Sequence, residues 1–204
     1  DEEGDPAGGL ICVPAVLEPV VVLAEALAVA QLLTLNIEAQ AKLHIAHVTS
    51  ASVLDILRRF TDTSDFSAET CPHYLMHDEN DVVQAGVWGK INPPIRYAED
   101  GEALWEALTD GTLNHVTTDH AAFAPEEKAD AEGDFLGAPP GHPGLEVLLP
   151  TLLEGVAAGR IGLDRVVDLV STKGAERFCL PQKGKIKLAL CCHYWKSYKI
   201  FDLK

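Results

Sequence analysis

From residue 20 onward the chain alternates between helix-like and strand-like runs, and that alternation predicts an α/β fold assembled from βα units. Two apolar, β-branched runs sharpen the expectation, because each ends in a residue able to hold a metal: Ile45-Ala46-His47 and Val116-Thr117-Thr118-Asp119. Parallel strands that each present one ligand at their C-terminal ends are how a (β/α)8 barrel builds a hydrolytic metal site. About three such units can be counted, where a closed barrel needs eight and roughly 250 residues. The 204-residue chain is therefore expected to form the C-terminal part of a TIM barrel, a partial (β/α)8 barrel.

The elements follow in order. Residues 20–33 predict a helix whose small and aliphatic side chains suit burial. Residues 43–48 predict a strand, with Leu43, Ile45 and later Val116 expected on inward faces. Residues 52–60 predict a helix opened by an N-cap serine, with Val53, Leu54, Ile56 and Leu57 as its apolar residues. Residues 66–70 form the next strand. Residues 89–92 read as a short extended piece stopped by Pro93-Pro94, since proline brings no N–H to a ladder. Residues 100–108 predict a helix with Trp105 on its apolar face, and residues 115–118 the last strand.

A Gly- and Pro-rich loop then spans residues 121–143. Loops of that length without regular structure are usually functional or disordered, and one that follows a barrel strand lies at the catalytic end. Residues 145–158 and 163–173 predict two closing helices. The domain expectation is a barrel portion over residues 1–180 and a tail of different character over 181–204.

Composition excludes some partners. With 31 acidic against 16 basic residues and a formal charge of −15, the chain lacks the Lys and Arg that nucleic acid or an anionic membrane surface rewards. The run from Leu10 to Leu35 is the one long apolar stretch, but Glu18, Pro19 and Glu25 interrupt it and no basic segment precedes it, so no membrane span is expected. Five cysteines, odd in number and without CxxC spacing, suit free thiols in a reducing, cytoplasmic setting.

Among single residues His47 stands first: neutral imidazole is the usual zinc ligand, and a strand end holds it rigidly. His44 points to the opposite face of the same strand and reads as structural. The paired prolines after Asn92 stiffen the backbone there, and Gly141 and Gly144 allow main chain to approach a ligand closely. Cys191, Cys192 and His193 do not read as a metal cluster, because adjacent ligands reach one ion only with strain.

Four motifs taken in order resemble the cyclic amidohydrolases, the group of hydantoinase (dihydropyrimidinase), allantoinase and dihydroorotase. They are His44-Ile45-Ala46-His47-Val48-Thr49-Ser50, Glu69-Thr70-Cys71-Pro72-His73-Tyr74-Leu75, Lys90-Ile91-Asn92-Pro93-Pro94-Ile95-Arg96 and Thr117-Thr118-Asp119-His120-Ala121-Ala122-Phe123. The resemblance covers roughly residues 42–185. It implies a metal-dependent hydrolase of cyclic amide C–N bonds, acting on a small cyclic amide or ureide, with a binuclear Zn2+ centre and a homo-oligomeric full-length parent. It implies that His47 and Asp119 bind metal and that Asp119 is the catalytic base, moving a proton from water to the leaving nitrogen. It also implies that Asn92 and the Gly141 loop contact substrate. His73 is not implied as an obligatory ligand, His120 is expected beside Asp119, and His115 and His142 are expected to be ordinary residues.

The resemblance further implies a His-x-His on a first strand, a carbamylated lysine on a fourth and a histidine on a fifth, motifs that this sequence does not contain. Asp1-Glu2-Glu3-Gly4-Asp5 resembles the tail of the last of these, and Leu188 to Trp195 is unlike the family. A second class therefore stays open: a non-catalytic homologue with a scaffolding role. Within the family, Asn92 favours dihydroorotase. Phe123 favours hydantoinase, Glu69-Thr70-Cys71-Pro72 is similar to hydantoinase or allantoinase, and the balance falls on hydantoinase or dihydropyrimidinase.

Overall fold

The computed structural model describes residues 19–185. The expectations for the tail from residue 186, for Cys191, Cys192 and His193, and for residues 1–5 lie outside the described residues. In chain order the elements are α1 (Pro19–Ala39), β1 (Leu43–Ile45), α2 (Ala51–Phe60), β2 (Phe66–Thr70), α3 (Pro72–Met76), α4 (Glu79–Ala85), a 3-10 turn (Gly86–Gly89), α5 (Ala98–Asp110), β3 (His115–Val116), α6 (Pro125–Ala129), α7 (Leu148–Ala157), α8 (Leu163–Val167), a π turn (Asp168–Thr172) and α9 (Lys173–Arg177).

The three strands form a parallel sheet in the order β1-β2-β3. Its register pairs His44 with Ser67 and Ile45 with Ala68, then Glu69 with His115 and Thr70 with Val116. Because side chains alternate along a strand, this register sorts the residues onto two faces. Ile45, Ala68 and Val116 share one face and are buried in the same apolar cluster as Val53, Leu54 and Leu57 of α2 and Leu104 and Leu108 of α5. His44, Ser67, Glu69 and His115 share the other. The expectation that Leu43, Ile45 and Val116 face inward is corrected: the aliphatic residues face the helical layer, and the face turned away from it is polar.

Local chemistry explains most boundaries. Ser50 stands at the N-cap of α2 without a side-chain capping bond; the Asp100 carboxylate of α5 instead accepts from the Ala51 N–H at 2.8 Å. Asp78 caps α4 in a reciprocal box with Asp81, a helix the sequence reading passed over. Pro72 opens α3 at a position where its missing N–H costs nothing. The extended piece expected at 89–92 is absent: Gly86–Gly89 make a 3-10 turn and the chain then runs irregularly into the prolines. The final helical stretch passes through Gly174 and ends at Arg177.

α1 is longer than expected, running to Ala39, and Val21–Ala39, with mean hydropathy 1.6, is long and apolar enough by composition to cross a membrane. That corrects the expectation that no stretch would be. In the structure one stripe of the helix packs on the core, while Leu23, Leu27, Leu32 and Leu35 are exposed. Ala26, Val29 and Leu33 are buried along one stripe, and the Asn36 amide donates to Ser64 at 2.8 Å. Glu25, the charge that interrupts the run, pairs with buried Arg96 at 3.0 Å. The Arg96 Nε also donates to the Thr49 hydroxyl, and the Thr49 N–H donates to Glu25. This network ties α1, the segment entering α2 and the proline turn to one another.

Candidate metal centre

The strand ends carry the site. β1 stops at Ile45 rather than residue 48 because His47 adopts φ +40, and Asp119, just past β3, adopts φ +44. Left-handed backbone at a non-glycine residue costs about 1–3 kcal/mol and persists only where the surroundings enforce it, which clusters such residues at functional sites. Among the described residues just four non-glycine positions have positive φ, and two of them are the residues singled out as metal ligands.

Asp119 does not stand alone. Its carboxylate, the Cys71 Sγ and a ring nitrogen of His73 all lie within 4.8 Å of one another. Cys71 ends the β2 run and is fully buried; His73, in the first turn of α3, is 5% exposed, and its Nε2 has no hydrogen-bond partner. Burial pushes the His73 pKa down to about 3, helped by the neighbouring imidazoles of His142, His77 and His47. The ring is therefore neutral, the form in which imidazole binds metal. Burial pushes the Cys71 thiol up, and the Asp119 charge adds to this. His47, the other residue expected to hold metal, is not a member of this group. The sequence reading set His73 aside as an obligatory ligand; what it lacked was the carboxylate past β3 that the fold brings to it.

Asn92 is exposed in the turn over residues 90–96, which is anchored from α3 where the Tyr74 hydroxyl donates to the Pro93 carbonyl at 2.8 Å. The Lys90 carbonyl accepts from Gly141 N–H at 3.0 Å, so the Gly141 loop hangs on the same turn. Gly141 has φ +156, and a Cβ there would lie 2.3 Å from the Ala121 carbonyl oxygen; one on Gly144 would lie 2.4 Å from that of Thr118. Only glycine lets this loop press on the segment flanking Asp119. His120 accepts from the Gly144 N–H at 3.0 Å, so it holds the loop. His142 is more than an ordinary residue. It contacts the Trp88 carbonyl at 3.0 Å, its ring lies 5.8 Å from that of His73, and it lines an open cavity of about 430 Å3 with His77, Asp81, Trp88 and Ile95.

Below these groups much of the polar face of the sheet is paired within itself, although neither ring nitrogen of His115 on that face has a partner. His44 Nδ1 meets Ser67 Oγ at 2.7 Å, His44 Nε2 meets Glu69 Oε2 at 2.9 Å, and the Thr117 hydroxyl donates to Glu69 Oε1 at 2.7 Å. Burial raises the Glu69 pKa, but the hydrogen bonds from His44 and Thr117 outweigh it and leave the carboxyl below its ordinary value. His44 is structural, as expected.

No family model matches the chain. Individual proteins do. A dihydroorotase of Halobacterium salinarum is 36% identical over 163 residues, which cover 80% of this chain and 37% of that protein. A D-phenylhydantoinase of Escherichia coli is 37% identical over 166 residues, 78% of this chain and 36% of the relative. Among solved structures, the L-hydantoinase (dihydropyrimidinase) from Arthrobacter aurescens superposes with a TM-score of 0.78 at 32% identity, covering 82% of this chain and 38% of the other. The chain belongs to the cyclic amidohydrolase family. It spans just over a third of the length of the relatives it matches.

Proposed function

We propose that this chain is part of a metal-dependent hydrolase that opens a small cyclic amide at a ring C–N bond, in the manner of a hydantoinase or dihydropyrimidinase. The observation that carries the reading is the pair of left-handed residues, His47 and Asp119, at the C-terminal ends of two parallel strands of one sheet. In this reading β1, β2 and β3 are consecutive strands of a (β/α)8 barrel, residues 1–180 belong to that barrel, and residues 181–204 form a tail distinct from it. The parent protein would be a cytoplasmic homo-oligomer.

The donor types present suit a zinc ion: a strand-end imidazole on His47 and a carboxylate on Asp119, the latter within 4.8 Å of a buried His73 ring nitrogen. His47 and Asp119 would hold the ion, whose Lewis acidity would bring a water's pKa to about 7. The Asp119 carboxylate takes the proton from the attacking water and returns it to the leaving ring nitrogen. Asn92 offers its amide to the planar ring, and the Gly141 backbone closes on it from the loop. Phe123, whose ring edge would be 2.9 Å from a Cβ on Gly141, puts an aromatic wall beside that contact and supports the hydantoinase alternative over dihydroorotase.

The test grafts the matching residues of this chain onto a D-phenylhydantoinase relative and measures zinc-dependent opening of hydantoin, dihydrouracil, allantoin and dihydroorotate. Ring opening by the graft, lowered about 10²–10⁴-fold by Asp119→Asn, is the expected result. A folded, zinc-loaded graft whose rate ignores Asp119→Asn would overturn the assignment, and a folded graft without any ring opening would favour the scaffolding alternative.

A further inference from the structure

We propose that Cys71, His73 and Asp119 form a metal site of their own, which takes a single zinc-like divalent cation through an imidazole, a carboxylate and the Cys71 sulfur, whose proton leaves to solvent as the metal–sulfur bond forms. The proposal shares Asp119 with the hydrolytic reading above but does not require His47 as a ligand.

Three observations converge. The donor atoms lie within 4.8 Å of one another. Zinc binds sulfur at about 2.3 Å and nitrogen or oxygen at about 2.0–2.2 Å, so tetrahedral ligand atoms sit roughly 3.5 Å apart. The set therefore needs to close by about an ångström, within reach of small side-chain rotations. Next, His73 is 5% exposed and its Nε2 meets no hydrogen-bond partner. A buried polar atom left unmatched calls for an explanation, and a bound ion is one of the standard ones.

The third observation is rigidity. Cys71 and His73 flank Pro72 at the start of α3, and α3 is pinned on both sides. The Tyr74 hydroxyl donates to the Pro93 carbonyl at 2.8 Å, and Trp105 Nε1 donates to the Leu75 carbonyl at 3.1 Å. Asp119 comes from β3 with its backbone held left-handed.

The donor types choose the ion. A thiolate disfavours Mg2+ and Ca2+, which want oxygen, and favours Zn2+ or its reporters Co2+ and Cd2+. Three protein ligands leave a fourth tetrahedral position. That is the pattern of a site with an exchangeable ligand rather than of a closed structural one.

The experiment is a titration of the full 204-residue chain with Co2+ under reducing, oxygen-free conditions, read by absorption, together with zinc-edge X-ray absorption of the Zn2+ form. The expected result is one equivalent bound, a thiolate-to-cobalt charge-transfer band, and one sulfur among nitrogen and oxygen scatterers. Cys71→Ser removes the band, His73→Ala and Asp119→Asn each weaken binding about 10-fold or more, and Cys179→Ser leaves the band in place. The X-ray measurement counts sulfur ligands on the unmutated chain, so a Cys71 variant that fails to fold does not blunt the test. A band that survives Cys71→Ser overturns the proposal, as does absence of any binding. Sulfur-free binding that depends on His47 and Asp119 also overturns it and leaves the hydrolytic reading standing. Sulfur ligation through Cys71 that is indifferent to Asp119 overturns the site as drawn.

Discussion

Two polar clusters lie along the β2–β3 side of this sheet, a few residues apart along the strands, and they are built on opposite principles. In the lower one, His44, Ser67, Glu69 and Thr117 satisfy one another: both His44 nitrogens and both Glu69 oxygens have partners at 2.7–2.9 Å. In the upper one, Cys71, His73 and Asp119 sit close together yet His73 Nε2 is unmatched. The lower cluster is held by its hydrogen bonds. The upper is held by backbone: a proline-led helix on one side and a left-handed residue on the other. Thr117 joins the two, since its hydroxyl donates to Glu69 and lies 4.0 Å from the Cys71 sulfur. A polar group buried with its partners reads as architecture. One held in place without them is poised for something from outside.

The comparison breaks most sharply where a paired charge loses its partner. A third network joins Glu25, Thr49 and Arg96 and pairs both Glu25 oxygens, although Arg96 Nη1 stays unmatched. Arg96→Met should cost about 3–5 kcal/mol, because it leaves Glu25 largely buried without its counter-charge. Urea unfolding at fixed chain concentration measures it, and a loss below about 1 kcal/mol would mean that Glu25 does not depend on Arg96. Glu69→Ala comes next, at about 2–4 kcal/mol, since His44 and Thr117 both lose a partner. The same unfolding curve reports it; an unchanged midpoint would contradict the structural reading of the lower cluster.

Gly144→Ala tests the seat of the upper cluster. A Cβ 2.4 Å from the Thr118 carbonyl oxygen forces the loop away from the segment bearing Asp119. A cost of about 1–3 kcal/mol is expected, together with weaker zinc binding by calorimetry. Loss of stability with zinc affinity intact would separate the loop from the site. The smallest effect belongs to His73→Leu: without metal, a change of less than about 1.5 kcal/mol, since no hydrogen bond of Nε2 is lost and an unmatched buried nitrogen is removed. A larger loss, measured in metal-free buffer, would show that His73 belongs with the closed kind.

Much of the frame was legible along the chain. The strand at 66–70 and the helix ending at Phe60 are where apolar spacing and β-branched runs place them. The capping box at Asp78–Asp81 was equally legible, and reading the Cys-Pro-His-Tyr stretch only as a motif hid the short helices around it. Other features had no local signal. The cap of α2 comes from Asp100, far along the chain, and the early stop of β1 comes from a backbone twist at His47 that no propensity records.

What the sequence by itself determined is the kind of residue at each strand end: an imidazole after β1, a thiol and an imidazole after β2, a carboxylate after β3. Composition and period settle such things because they depend on neighbours a few residues away. Only the tertiary structure decided which of these meet. The parallel register of β2 and β3 carries Asp119 to Cys71 and His73, and that of β1 and β2 turns His44 toward Glu69. The physical reason is that a strand's side chains alternate with a period of two. Whether a group faces a partner, a core or an open site is then fixed by pairing across the sheet, which involves residues distant in the chain.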